Sequence, residues 1–381
     1  MNELESTISQ VIEENFIPFE WNDKIEKELE EINLDTNLPR KDLTKIPFIT
    51  IDGADAKDFD DAVHCFKNKT TYSLSVAIAD VAEIVKLKSA INDEALERGT
   101  SIYFPSKVIP MLPEKISNNL CSLVPNEIRN VLVCEINFDL EGDLQSYNFF
   151  EARIKSHQRM TYSEVEEYLN GNSSHLAKNV KKSIDTLYVL TNKLLFKRNK
   201  RQALEIDGQE PLLKMSNDGR VEEITLPKRL FAHQMIEEAM LAANVCAANF
   251  MNKHYKFGVY RIHEEPDNLK LESLKNFFSL KGYSESYKKE ALGIISQCLS
   301  HAKKQQLNKI FQTVVLQSLK RAEYSTKEIG HFGLQLDRYS HFTSPIRRYP
   351  DLMTHRLIKN VLHNGDLALD KDQIEEDCSE M

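Results

Sequence analysis

The sequence has no paired cysteines. Its six, Cys65, Cys121, Cys134, Cys246, Cys298 and Cys378, are scattered over 381 residues without any C-x-x-C spacing. That excludes a zinc ribbon or a disulfide framework and predicts buried free thiols in a reducing compartment, the cytoplasm. No apolar run nears the ~18 residues that a membrane span requires. The N-terminus from Met1 to Phe16 is acidic and has no basic region leading into an apolar stretch, so it does not read as a secretory signal. A positive balance is also missing. The 49 Lys and Arg face 58 Asp and Glu, for a net charge of −9, which argues against a protein that coats nucleic acid nonspecifically. A local basic channel stays compatible with that balance. Repeats and low-complexity linkers are absent too, so residues 46–363 read as a single large domain.

A β-prone run, Phe48–Ile51, ends at the turn pair Asp52-Gly53. Tyr72–Val81 and Asn130–Phe138 read as strands, and Asn92–Arg98 as a short helix. Later segments turn helical: Tyr162–Leu169, Leu176–Arg201, Arg229–Asn252, Leu269–Phe278, Leu307–Leu319 and His355–His363. Residues 1–45 read as a helical lead-in, with helical character at Glu13–Phe19 and Lys24–Ile32 and a break at Leu38-Pro39-Arg40. Strands early and helices late predict a mixed α/β (α+β) chain, a β-sheet core surrounded by helices.

The most informative stretch runs from Asp52 to Asp61 and holds five aspartates, Asp52, Asp55, Asp58, Asp60 and Asp61. Crowded like charges beside an apolar run repel. A hard divalent cation with oxygen ligands removes the conflict. An EF-hand loop is excluded, because counting from Asp52 puts Lys57 and Val63 where that loop needs Gly and Glu. A solvated acidic loop remains an alternative on spacing alone. The second informative stretch is His341-Phe342-Thr343-Ser344-Pro345-Ile346-Arg347-Arg348-Tyr349-Pro350-Asp351. Its prolines are expected to hold the backbone away from regular helix, so that Arg347 and Arg348 project from a fixed loop. Guanidinium forks match phosphate geometry; a pairing with Asp337 or Asp351 is the alternative. The basic stretch Lys193, Lys197, Arg198, Lys200 and Arg201 reads either as a guide for a phosphate backbone or as a solvated helix face.

Together these stretches resemble the catalytic (RNB) domain of the ribonuclease II/ribonuclease R family, closer to the ribonuclease R branch. Further blocks resemble the family in its order: Val76–Val81, Arg98–Pro105, Ile109–Pro113, Leu120–Leu123, Ile236–Asn244 and Tyr260–His263. The resemblance implies metal-dependent hydrolysis of single-stranded RNA from its 3′ end, one nucleotide at a time, to nucleoside 5′-monophosphates. The family's D-x₅-D-x-D-D pattern falls on Asp52, Asp58, Asp60 and Asp61, which implies a Mg²⁺ site, with Mn²⁺ as the other candidate ion. Asp60 and Arg347 are the implied catalytic residues. Tyr103 is the implied stacking partner of the 3′-terminal base, and Arg348 is a candidate substrate contact. No organic cofactor and no membrane partner are expected, and the protein is expected to be a monomer. Two other readings stay open: a catalytically weak RNA-binding or partner-binding module, and a metal phosphodiesterase acting on DNA or small nucleotides. The family's flanking oligonucleotide-binding modules have no expected counterpart in residues 1–45 or 364–381. The latter segment resembles the start of a linker helix, whose cut apolar face is expected to lie uncovered.

Overall fold

Side chains that alternate with period two build the centre of the molecule. The computed structural model describes residues 3–32, 39–172, 175–205, 212–216, 220–226, 228–283, 287–288, 290–304, 308–365 and 371–380. Strands β1 (Lys41–Asp42), β2 (Phe48–Asp52), β3 (Asp61–Lys67) and β4 (Thr71–Ala79) precede a short hairpin, β5 (Ile102–Tyr103) and β6 (Val108–Ile109). Two long strands follow, β7 (Ile128–Asp139) and β8 (Leu144–Thr161). The sheet order is β1-β8-β2-β3-β4-β7, and β8 also pairs with β7. Antiparallel pairing ties β8 from Leu144 to Lys155 onto β7, and parallel pairing ties it from Ser156 to Thr161 onto β2. The sheet thereby closes on itself, which removes the exposed edges that an open sheet would carry.

Both faces of the sheet are buried. Ile49, Ile51, Val63, Cys65, Val76, Ile78, Leu132 and Cys134 share one apolar cluster. Phe48, Ala62, Ala77, Ala79, Val131 and Val133 belong to another. The lead-in contributes α1 (Glu3–Glu14) and α2 (Asp23–Glu31), and β4 runs into α3 (Val81–Ile84) and then α4 (Ala90–Arg98). After β8 come α5 (Tyr162–Leu169), α6 (Lys178–Lys200) and, beyond a hairpin of β9 (Leu212–Met215) and β10 (Val221–Thr225), α7 (Phe231–Tyr255). Val165, Ile184, Leu187, Met235 and Ala239 of α5–α7 cover the first cluster. A lobe of α8 (Asn268–Leu280), α9 (Ala291–Lys304) and α10 (Asn308–Ser318) has its own core around Phe278, Ile295 and Phe311. It is inserted between β11 (Tyr260–Ile262) and β12 (Glu323–Ser325), which pair with each other. The chain ends in α11 (Tyr349–Leu362) and α12 (Lys371–Glu380). All six cysteines are buried and free, as expected. Among the described residues no helix is long and apolar enough to cross a membrane.

Three expectations change. The first lead-in helix is Glu3–Glu14, not Glu13–Phe19. It stops where Phe16 takes φ +52° and the Ile17 N–H turns back to the Ile12 carbonyl, a helix-ending bond pattern that needs a left-handed residue. The last long helix starts at Tyr349, not His355. Pro350 sits in its first turn, where a missing N–H leaves nothing unsatisfied, so this proline opens a helix instead of preventing one. The apolar face of α12 is covered: Ile374 and Cys378 are buried in the same cluster as Leu352 and Leu357 of α11. Finally, β3, β8 and α9 had no sequence expectation. Leu38 of the expected break and residues 366–370 of the terminal segment lie outside the described residues.

Candidate active site

Asp52 closes β2 and Asp61 opens β3, so the antiparallel pairing of these strands brings the two ends of the aspartate run together. The loop between them is pinned. One Arg159 guanidinium nitrogen donates to the Gly53 carbonyl at 3.1 Å and the Ala54 carbonyl at 2.7 Å. The Ser122 hydroxyl donates to the Lys57 carbonyl at 2.7 Å and accepts from the Phe59 N–H at 3.0 Å. Asp58 is therefore held between two fixed residues. Asp60 is only 5% exposed, and one of its oxygens accepts from the Ile346 N–H at 2.9 Å. Its other oxygen lies 3.8 Å from Arg347 Nε.

The arginine segment is fixed from three sides. The Phe342 N–H donates to Asn244 of α7, and the Ser344 N–H donates to Asp351 of α11, each at 2.8 Å. The Arg347 carbonyl accepts from the Ser101 N–H at 3.0 Å, at the root of the β5–β6 hairpin. Arg347 itself is about half exposed and lines a cleft of about 690 Å³ together with Asp52, Asp55, Asp58, Asp60, Asp61 and Tyr103. That volume is in the usual range for small-ligand sites. Tyr103 is 54% exposed and its hydroxyl lies beside Arg347.

The expected site residues thus divide. Asp52, Asp58, Asp60, Asp61, Tyr103 and Arg347 share one cleft. Arg348 is placed elsewhere: its fork grips the buried Asp351 with bonds of 2.8 and 2.7 Å, the alternative weighed for it. Asp55 lines the cleft but is exposed. The basic stretch lies at the far end of the sheet, by the β7–β8 turn, where Gly142 meets Lys193. Lys197 is paired there with Asp143, and Arg198 is buried against Glu237 and Glu238. Sequence reasoning assigned no role to Ser122, Arg159 or Asn244, and named Asp351 only as an alternative ion-pair partner of the arginines. Ser122 falls in one of the blocks that carried the resemblance, which was its only signal.

The electrostatics fit a cation. Burial raises the Asp60 carboxyl well above its ordinary range, against the pull of Arg347. Burial, then the charge of Asp52, pushes Asp61 up to about 7. Burial likewise raises Asp52, opposed by the Gly53 N–H and Arg347. Oxygen donors that resist ionisation because they are desolvated and crowded are what a hard divalent ion relieves, taking one or two directly and the rest through water. Among the described residues the tightest carboxylate trio lies elsewhere, at Asp80, Glu83 and Glu151. Arg40 and Lys359 already contact all three of those carboxylates, so their charge is met from within the protein.

The RNB domain description matches residues 40–364. The chain belongs to the RNB-domain family. It is 40% identical over 358 residues to ribonuclease R of Vibrio parahaemolyticus, covering 91% of this chain and 42% of that protein. Against ribonuclease R of Escherichia coli the identity is 38% over 362 residues, covering 91% and 44%. A solved structure of Mycoplasma genitalium RNase R with ribose-methylated single-stranded RNA superposes with TM-score 0.92 at 32% identity, covering 98% of this chain and 60% of that one. The pseudonuclease Ssd1 of yeast shares the fold at TM-score 0.75 and 19% identity. The chain spans less than half the length of these two curated relatives. Within the RNB family it thus matches the ribonuclease R branch, and its mixed α/β architecture is that of those enzymes.

Proposed function

We propose that this chain is the catalytic core of a hydrolytic 3′-to-5′ exoribonuclease that degrades single-stranded RNA to nucleoside 5′-monophosphates. One observation carries the reading. Asp60 and Ile346-Arg347, 286 residues apart in sequence, meet in a cleft that also holds Asp52, Asp58, Asp61 and Tyr103. The RNA-bound structure of the M. genitalium relative supports the choice of substrate. Asp52, Asp58, Asp60 and Asp61 would hold Mg²⁺ or Mn²⁺, which supplies an activated water and charge neutralisation at the scissile phosphate when bound.

The chain's own residues do the rest. Arg347, which lines the same cleft 3.8 Å from Asp60, stabilises the negative charge that builds on the phosphate oxygens. Tyr103 packs against the terminal base, a contact tolerant of base identity. Water's oxygen joins phosphorus, and the 3′ oxygen of the preceding nucleotide leaves with a proton. Arg348 acts through Asp351, which anchors Ser344 and so sets the backbone that carries Arg347. Six buried free thiols support a cytoplasmic setting, and we read the protein as a monomer.

Incubation with 5′-labelled single-stranded RNA tests the proposal. A ladder of 3′-shortened products that disappears with chelator and returns with Mg²⁺ or Mn²⁺ is expected. Persistence of the ladder in chelator, or equal degradation of single-stranded DNA, would overturn it. A catalytically weak binding module would retain RNA and release nothing.

A further inference from the structure

The β5–β6 hairpin carries Tyr103, yet only two residue pairs join its strands, Ile102 with Ile109 and Tyr103 with Val108. A ladder this short does not hold itself together in water. Its side chains alternate. Tyr103 and Val108 are about half exposed and line the cleft. Ile102, Phe104 and Ile109 join an apolar cluster whose other members are Leu4, Ile8, Ile12 and Ile17, and Phe104 also reaches the cleft. That cluster is separate from the cores that flank the sheet. Ile8 and Ile12 are one turn apart on α1 and are 6% and 4% exposed.

Two further ties bind the same segment to the hairpin. Lys107, at the hairpin turn, sits 5.2 Å over the ring of Phe19. The Arg98 guanidinium lies 3.7 Å over Trp21 and donates to the Glu20 carbonyl at 2.9 Å and the Pro110 carbonyl at 3.0 Å. The root of the hairpin is bonded to the Arg347 carbonyl. An unbroken set of contacts therefore runs from α1 through the hairpin to the arginine segment.

We propose that α1 is a positioning element of the substrate cleft: Ile8 and Ile12 hold the hairpin so that Tyr103 meets the 3′-terminal base. This rests on the exoribonuclease reading above. Loosening α1 is expected to act on substrate capture, because Asp60 and the segment of Arg347 keep supports outside the hairpin, at Ile346, Asn244 and Asp351.

The test is an Ile8→Ser/Ile12→Ser variant compared with Ile8→Val/Ile12→Val and with the Tyr103→Ala background. The serine variant should raise KM for single-stranded RNA on the order of tenfold, the scale of one lost stacking contact, and leave kcat within about threefold. The valine variant should stay near wild type. In the Tyr103→Ala background the serine changes should move KM by less than about twofold, since both act through one contact. Amide exchange of residues 101–110 should quicken while β3 and β4 stay protected. An unchanged KM, an equal KM effect without Tyr103, or unchanged exchange would overturn the proposal. If the double variant fails to fold, Ile12→Ala is measured against the same outcomes. If the wild-type protein does not shorten RNA at all, the activity reading fails, and the exchange comparison alone decides whether α1 holds the hairpin.

Discussion

Two carboxylate clusters occur in this protein. In one, Asp80, Glu83 and Glu151 surround Arg40 and Lys359, with contacts between 2.6 and 3.3 Å. Burial would raise the Asp80 carboxyl, but Lys359 and Arg40 outweigh it and hold the group low. In the other, Asp52, Asp58, Asp60 and Asp61 face the half-exposed Arg347, 3.8 Å from Asp60, and Arg159 acts on Asp52 only from beyond ion-pair distance. There burial wins, and Asp52, Asp60 and Asp61 are all raised. The first cluster is a closed set of ion pairs joining the lead-in, the start of α3, β8 and α11. The second lies open to a cleft and short of positive charge. Close approach of carboxylates alone therefore does not mark a cation site; the balance of charge around them does.

Removing charge from each cluster should have opposite consequences. Asp60→Asn or Arg347→Ala is expected to lower the RNA-shortening rate by about 10²–10³ while the melting temperature stays close to wild type. Lys359→Met should do the reverse. Leaving three carboxylates without that cation should cost about 3–5 kcal/mol in urea unfolding, with little change in rate per folded molecule. Equal activity losses in the two variants would erase the distinction between the clusters.

Cation binding sharpens the contrast. Saturating Mg²⁺ should stabilise the wild type by about 2–3 kcal/mol at a hundredfold excess over Kd, read as a rise of a few degrees in melting temperature. That rise should vanish in Asp52→Asn/Asp61→Asn and survive in Lys359→Met. Acid separates the paired cluster from the neutral histidines of the core. His64, His331 and His355 are each lowered by burial to about 4. Unfolded histidine takes up a proton below about 6.5, whereas these resist until about 4, so stability is whole above 6.5 and drains away as pH falls through that window. Asp80 and Glu83 are lowered carboxylates, whose contribution persists until the pH drops below their ordinary values of 3.8 and 4.5. Unfolding free energies from urea titrations at pH 7 and pH 5 should therefore differ by a few kcal/mol through the histidines, a loss partly offset by Asp61, whose carboxyl, raised to about 7, takes up its proton in the folded state over the same window. The smallest effect is expected from Lys193→Ala/Lys200→Ala at the far end of the sheet. It should change RNA affinity less than about twofold and leave its salt dependence unaltered, unlike the loss of a true phosphate contact.

Much of the site was legible before the fold. Five aspartates next to an apolar strand, and two arginines between prolines, are rare enough in composition to stand out. The supports were not legible. Arg159 and Ser122 read as ordinary polar residues, and only their bonds to carbonyls and an amide of the aspartate loop give them a role. Strand β8 escaped notice because its first residues, Leu144 to Asn148, are largely exposed and its pattern is polar. Arg347 and Arg348 are neighbours of one type, and spacing had no means to tell them apart; Asp351 takes one and leaves the other to the cleft.

Local pattern by itself determined strands β2, β4 and β7, most of the helices, and where charge is concentrated, because periodicity and crowding act over a few residues. Tertiary structure alone decided that the sheet closes through β8, that α1 lies under the hairpin of Tyr103, and that Asp60 meets Ile346 and Arg347. Those outcomes depend on contacts between residues distant in the chain, and their energy exists only once burial has removed water from around them.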